Sequence, residues 1–179
     1  MAHRAWRHAL VLGGTRSGKS ELAERLVADE PGVRYVATGW RGTEDSAWER
    51  RIDAHRTRRP AGWSTVEVGS RPERLPALLR GAHPAEVVLV DELGTWVGAL
   101  LAGDDDPVAA ATDLGEAVAT CAATLVLVSP EVGLAPVALT PAGRAFVDAL
   151  GATNIAVATA CDAVVLVVAG QPIPVKGVI

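Results

Sequence analysis

At 179 residues, 49% of them hydrophobic, the chain can bury a substantial core, and a single domain over residues 1–179 is expected. Its formal net charge of −4 argues against a general nucleic-acid or anionic-membrane binder. No apolar stretch reaches the roughly 18 residues a membrane span needs, and the first apolar run is too short for a signal peptide, so a soluble cytoplasmic protein is expected.

Along the chain, short apolar runs rich in β-branched residues alternate with longer Ala, Leu, Arg and Glu segments. Strands are predicted at 8–12, 33–37, 64–68, 86–90, 124–128 and 163–168. Helices are predicted at about 18–29, 44–57, 71–80, 92–102, 107–122 and 140–160. The last helix opens on Thr140-Pro141, a capping residue followed by proline at the first helical position. Strand runs that are apolar throughout imply cover on both faces. The expected class is therefore α/β, a mostly parallel central sheet flanked by helices, with ligands at the carboxyl ends of the strands.

The first strand leads into Gly13-Gly14-Thr15-Arg16-Ser17-Gly18-Lys19-Ser20, and a helical segment follows. This is the P-loop pattern in its proper context. Glycines allow successive N–H groups to face one concavity at the positive end of a helix, where phosphate binds. Lys19 is expected to reach the β- and γ-phosphates and the Ser20 hydroxyl to coordinate Mg²⁺. The strand EVVLVD ends in Asp91, a carboxylate placed to serve the same metal; Glu92 follows and could share or take that role. To this point the description fits kinases, GTPases and motor ATPases alike.

His55 stands within RRIDAHRTRRPAGW, among five arginines that resist its protonation. One reading is a solvated basic helix end closed by Pro60. The other is chemical: neighbouring cations keep the imidazole neutral and nucleophilic while holding the phosphates it attacks. His3, His8 and His83 read as structural or surface residues near a frayed N-terminus or a turn. Cys121 and Cys161 lack zinc or disulfide spacing and read as small core residues of a reducing cytosol. Trp40, Trp48, Trp63 and Trp96 could pack on a ligand ring but read first as core.

Taken in order, GGTRSGKS, RYVATG, RIDAHRTRRPAGW, LVDELGTWVGALL, LVLVSPEVGLAPVALTPAGRAFVDALG and DAVVLVVAGQPIPVK resemble the bifunctional adenosylcobinamide kinase / adenosylcobinamide-phosphate guanylyltransferase family. That resemblance implies a RecA-like P-loop fold, a homotrimer, and GTP, ATP and Mg²⁺ as cofactors. The implied substrates are adenosylcobinamide and adenosylcobinamide phosphate, with no nucleic acid. It implies that His55 carries GMP covalently. Nucleotide contacts carry over to residues 13–20, to Ala37, Thr38 and Gly39, to Arg56, Thr57, Arg58 and Arg59, to Glu67 and to Asp91. The alternatives are a P-loop kinase without guanylyl transfer and a RecA-like nucleotide-dependent binding protein.

The chain departs from the family pattern twice. Ser129-Pro130-Glu131-Val132-Gly133 stands where Asn-Glu-Val-Gly is usual, and the proline removes an N–H donor. The family's polar helical patch is reduced here to Asn154, which puts full activity of one of the two steps in question.

Overall fold

The structure is a computed structural model describing residues 5–39, 60, 62–136 and 138–179. In chain order the elements are β1 (His8–Gly13), α1 (Lys19–Leu26), β2 (Arg34–Ala37), β3 (Ser64–Glu67) and α2 (Arg74–Arg80). They continue as β4 (Val87–Asp91), α3 (Leu93–Leu101), α4 (Pro107–Thr120), β5 (Thr124–Pro130), α5 (Pro141–Ala160), β6 (Ala163–Val168) and β7 (Gln171–Lys176). The predicted helix at 44–57 lies outside the described residues.

The strands form one sheet in the order β3-β2-β4-β5-β1-β6-β7, parallel except for β7. Alternation along each strand divides the core into two layers. Leu10, Val88, Val90, Leu125 and Leu127 face α2, α3, α4 and α5, together with Leu79, Trp96, Leu114 and Leu150. Val11, Tyr35, Leu89, Val126 and Val165 face the other way, against Leu22, Ala23 and Val27 at α1. Cover on both faces explains the uninterrupted apolar runs of β1, β4 and β5. The edge strand β3, sequence STVE, is largely exposed and carries polar residues.

Local chemistry sets the element ends. Thr140 accepts the Gly143 N–H at 3.0 Å ahead of Pro141, as its sequence predicts. Asp106 does the same for Val108 at 2.9 Å ahead of Pro107. The first predicted helix is shorter than expected: it stops at Leu26, and Val27, fully buried, leaves helical geometry at φ −124°. β7 is an addition to the six predicted strands. It was not expected because Pro172 and Pro174 interrupt it, yet on an antiparallel edge strand prolines two apart occupy N–H positions the ladder does not use.

His8, expected to be structural or surface, proves structural. It is buried in β1, with Nε2 3.0 Å from the Cys121 carbonyl. Asp162 accepts the N–H groups of Arg7 at 2.8 Å and His8 at 3.0 Å, tying the start of β1 to the start of β6. His83 lies in an exposed turn where its Nδ1 accepts the Ala85 N–H. Cys121 and Cys161 are buried free thiols, as expected of core residues. Among the described residues no helix is long and apolar enough to cross a membrane.

Candidate nucleotide-binding site

The site gathers where β1, β2, β3 and β4 end. Ala37 is in register with both Glu67 and Asp91, so three strand ends present these residues along one edge. The loop 13–20 leaves β1 at the same edge and enters α1 at Lys19.

Within the loop the carbonyls are turned away and held. The Gly13 oxygen accepts the Glu131 N–H at 3.1 Å, Gly14 that of Ser17 at 3.2 Å, Ser17 that of Gly170 at 2.8 Å, and Gly18 that of Leu22 at 3.0 Å. These four acceptors are engaged by the protein, and of the loop donors the Ser17 N–H is spent on Gly14, which leaves other loop N–H groups for an anion. Gly18 has φ +94° and Arg16 φ +59°, the left-handed geometry that lets consecutive N–H groups converge. A side chain at Gly13 would place its Cβ 2.9 Å from the Val167 carbonyl, so the loop has no room for one there. Gly14, Thr15 and Arg16 are exposed at its mouth; Ser17 and Lys19 are buried. The Ser17 hydroxyl is buried without a hydrogen-bond partner among the described residues, an orphan that a phosphate oxygen would satisfy.

Lys19, its side chain only 6% exposed, sets its ammonium 3.5 Å from Glu92 Oε2. The Ser20 hydroxyl donates to Asp91 Oδ1 at 3.2 Å, and the Tyr35 hydroxyl donates to Asp91 Oδ2 at 2.6 Å. Ser20 and Asp91 are therefore joined across 71 residues of sequence, as their assignment to one metal requires. A hydroxyl and a carboxylate form the hard, sparse donor pair that suits Mg²⁺, which takes few protein ligands and completes its shell with phosphate and water.

Thr38, 1% exposed, has its hydroxyl committed to the protein. Its Oγ1 accepts the Glu92 N–H at 3.0 Å, lies 2.5 Å from the Glu92 carbonyl, and is 2.6 Å from the Thr95 hydroxyl. Thr95 in turn donates to the Glu92 carbonyl at 2.9 Å. Two threonines thus clamp the backbone of Glu92 and aim its carboxylate at Lys19.

At Pro130 the missing N–H is accommodated. Asn154 donates its amide to the Pro130 carbonyl at 3.0 Å while its Oδ1 accepts the Ser129 hydroxyl at 2.5 Å. Asn154 thereby holds the segment next to the phosphate loop, since Glu131 bonds Gly13.

The structure brings together residues 13–20, 37–39, 67 and 91. Of the other sequence candidates, His55, Arg56, Thr57, Arg58, Arg59, Trp40 and Trp48 lie outside the described residues. Trp96 is core, its Nε1 donating to the Pro72 carbonyl at 2.9 Å. Trp63 stacks on Tyr35 with ring centroids 6.4 Å apart. Sequence reasoning passed over Tyr35 and Thr95. Tyr35 carried a usable signal, a lone polar tip in an apolar strand two residues before its end, but its link to Asp91 depends on β2 lying beside β4.

Among solved structures, the chain resembles the P4 protein of bacteriophage phi6 in complex with ADP (TM-score 0.51, 14% identity, 97% of this chain and 58% of that one). It also resembles the type III secretion ATPase EscN of enteropathogenic E. coli (TM-score 0.53, 12% identity, 92% and 43%). At these identities the likeness establishes the P-loop ATPase fold alone. Sequence relatives are nearer. The bifunctional adenosylcobalamin biosynthesis protein CobP of Pseudomonas aeruginosa is 43% identical over 94% of this chain and 96% of its own length. The corresponding CobU of Escherichia coli K12 is 38% identical over 93% and 98%. The family profile for cobinamide kinase / cobinamide phosphate guanyltransferase matches residues 9–175, and with the phosphate loop and its paired carboxylate in place, the chain belongs to that family.

Proposed function

We propose that this protein phosphorylates the aminopropanol hydroxyl of adenosylcobinamide with ATP or GTP. It then moves GMP from GTP to the new phosphate, releasing pyrophosphate and giving adenosylcobinamide-GDP. The observation that carries the reading is the pairing of Ser20 with Asp91 beside buried Lys19, in a chain matched to the family over residues 9–175.

In the kinase step the 13–20 backbone donors and the Lys19 ammonium bind the triphosphate and offset the charge that builds on it as the γ-phosphoryl group leaves. Ser20 and Asp91 would hold Mg²⁺, which would neutralise phosphate charge during the transfer. The substrate hydroxyl oxygen forms a bond to the γ-phosphorus, the bond to the β-phosphate oxygen breaks, and a nucleoside diphosphate departs.

In the second step neutral His55 attacks the α-phosphorus of GTP; an N–P bond forms and pyrophosphate leaves. A phosphate oxygen of adenosylcobinamide phosphate then takes the guanylyl group from the histidine. Arg56, Thr57, Arg58 and Arg59 would supply charge and hydrogen bonds to the triphosphate, and Ala37, Thr38, Gly39 and Glu67 border the nucleotide at the strand ends. The enzyme works in the cytoplasm as a homotrimer, without nucleic acid.

The test follows the corrinoid. Chromatography of adenosylcobinamide incubated with protein, ATP, GTP and Mg²⁺ should show a phosphorylated species and then the GDP conjugate. Phosphorylation that never advances to the conjugate would support the kinase-only alternative. No corrinoid product at all would overturn both.

A further inference from the structure

We infer that Tyr35 is a positioning residue for the magnesium carboxylate: its phenol fixes the rotation of Asp91 so that one oxygen is always turned toward Ser20. This rests on the proposed role of Ser20 and Asp91 toward Mg²⁺. Three observations carry it. Tyr35 is 2% exposed, and its hydroxyl donates to Asp91 Oδ2 at 2.6 Å, a short bond to a carboxylate. The other carboxylate oxygen, Oδ1, accepts the Ser20 hydroxyl at 3.2 Å. A donor on each oxygen opposes rotation of the carboxylate.

The sheet produces this geometry. Ala37 is opposite Asp91, and Tyr35, two residues earlier on β2, projects from the same face as Ala37. A tyrosine ring on that diagonal spans the extra distance to the carboxyl edge, which a serine or threonine could not. Trp63 stacks against the ring at an offset, with centroids 6.4 Å apart and 29° between planes.

Polar partners of metal-holding groups commonly change metal affinity or activity by about 10- to 100-fold when removed. Tyr35→Phe keeps the ring and deletes the one oxygen. With a non-hydrolysable GTP analogue as ligand, the Mg²⁺ concentration giving half-maximal tightening should rise about tenfold, with metal-free affinity unchanged. Mn²⁺ bound to the same complex, read by electron paramagnetic resonance, should weaken in parallel.

A second measurement needs no substitution. Tyr35 is the single tyrosine of the chain, so growth on 3-fluorotyrosine gives one ¹⁹F reporter at this position. Its resonance should move when Mg²⁺ is added to the analogue complex, and should not move in Asp91→Asn. An unshifted Mg²⁺ dependence in Tyr35→Phe, or a ¹⁹F signal indifferent to Mg²⁺, overturns the inference if Asp91→Asn still abolishes the metal effect. If Asp91→Asn also leaves that effect intact, the assignment of the metal to Ser20 and Asp91 falls with it.

Discussion

Lys19→Ala is the substitution whose consequence can be worked furthest from the geometry. The ammonium is buried and held 3.5 Å from Glu92 Oε2, so in the absence of nucleotide its charge already has a partner. On binding, that contact is exchanged for phosphate oxygens. Hydrogen bonds to charged groups contribute about 1.5–3 kcal/mol each, and two phosphates fall within the lysine's reach. The forfeited ion pair offsets part of this, but only part, because Glu92 is 25% exposed and its charge is screened. A net loss of about 3 kcal/mol remains, on the order of a hundredfold in kcat/KM for the triphosphate. The assay is adenosylcobinamide phosphorylation at limiting nucleotide, alongside Kd for a fluorescent GTP analogue and Tm to confirm folding. A well-folded variant with kcat/KM within about threefold of the parent would refute the phosphate-loop argument.

Three further outcomes are expected. Asn154→Ala removes two buried bonds, to Ser129 and Pro130, and should cost about 2–3 kcal/mol, lowering Tm by roughly 5–10 °C; a Tm within error of the parent would mean the bridge contributes nothing. The N–H groups of His8 and then Arg7 hold the Asp162 carboxyl below the usual carboxylate range. Its contribution, about 1 kcal/mol at this exposed position, is therefore present above the unfolded pKa near 4 and lost as pH falls through the lower folded value. The Tm gap between the parent and Asp162→Ala should be open at neutral pH and close in acid, and a gap that widens in acid would contradict this. Burial pushes the Cys161 thiol up to about 12 and raises Cys121 as well, so native protein at about pH 8 should resist iodoacetamide until denaturant is added; prompt labelling of either would contradict their placement in the core.

The phosphate loop was legible because its function lies in backbone geometry that glycine spacing specifies locally. Asp91 was legible because a buried apolar run ending in an acid marks a strand end. β7 was hidden by Pro172 and Pro174, which read as interruptions until an edge position makes them harmless. The pairings of Tyr35 and Thr95 were hidden for another reason. The contacts Tyr35–Asp91 and Thr95–Thr38 form only because β2 lies beside β4, and sequence separation carries no hint of strand adjacency. For His8 the sequence left structural and surface roles open, and its burial follows from β1 being an interior strand of the sheet.

The central claim is covalent, and the most direct measurement is covalent labelling. Protein incubated with [α-³²P]GTP and Mg²⁺ should retain acid-labile, base-stable radioactivity, the mark of a phosphoramidate. His55→Ala, with Tm and GTP-analogue binding preserved, should retain none. Undiminished label on folded His55→Ala would contradict the account.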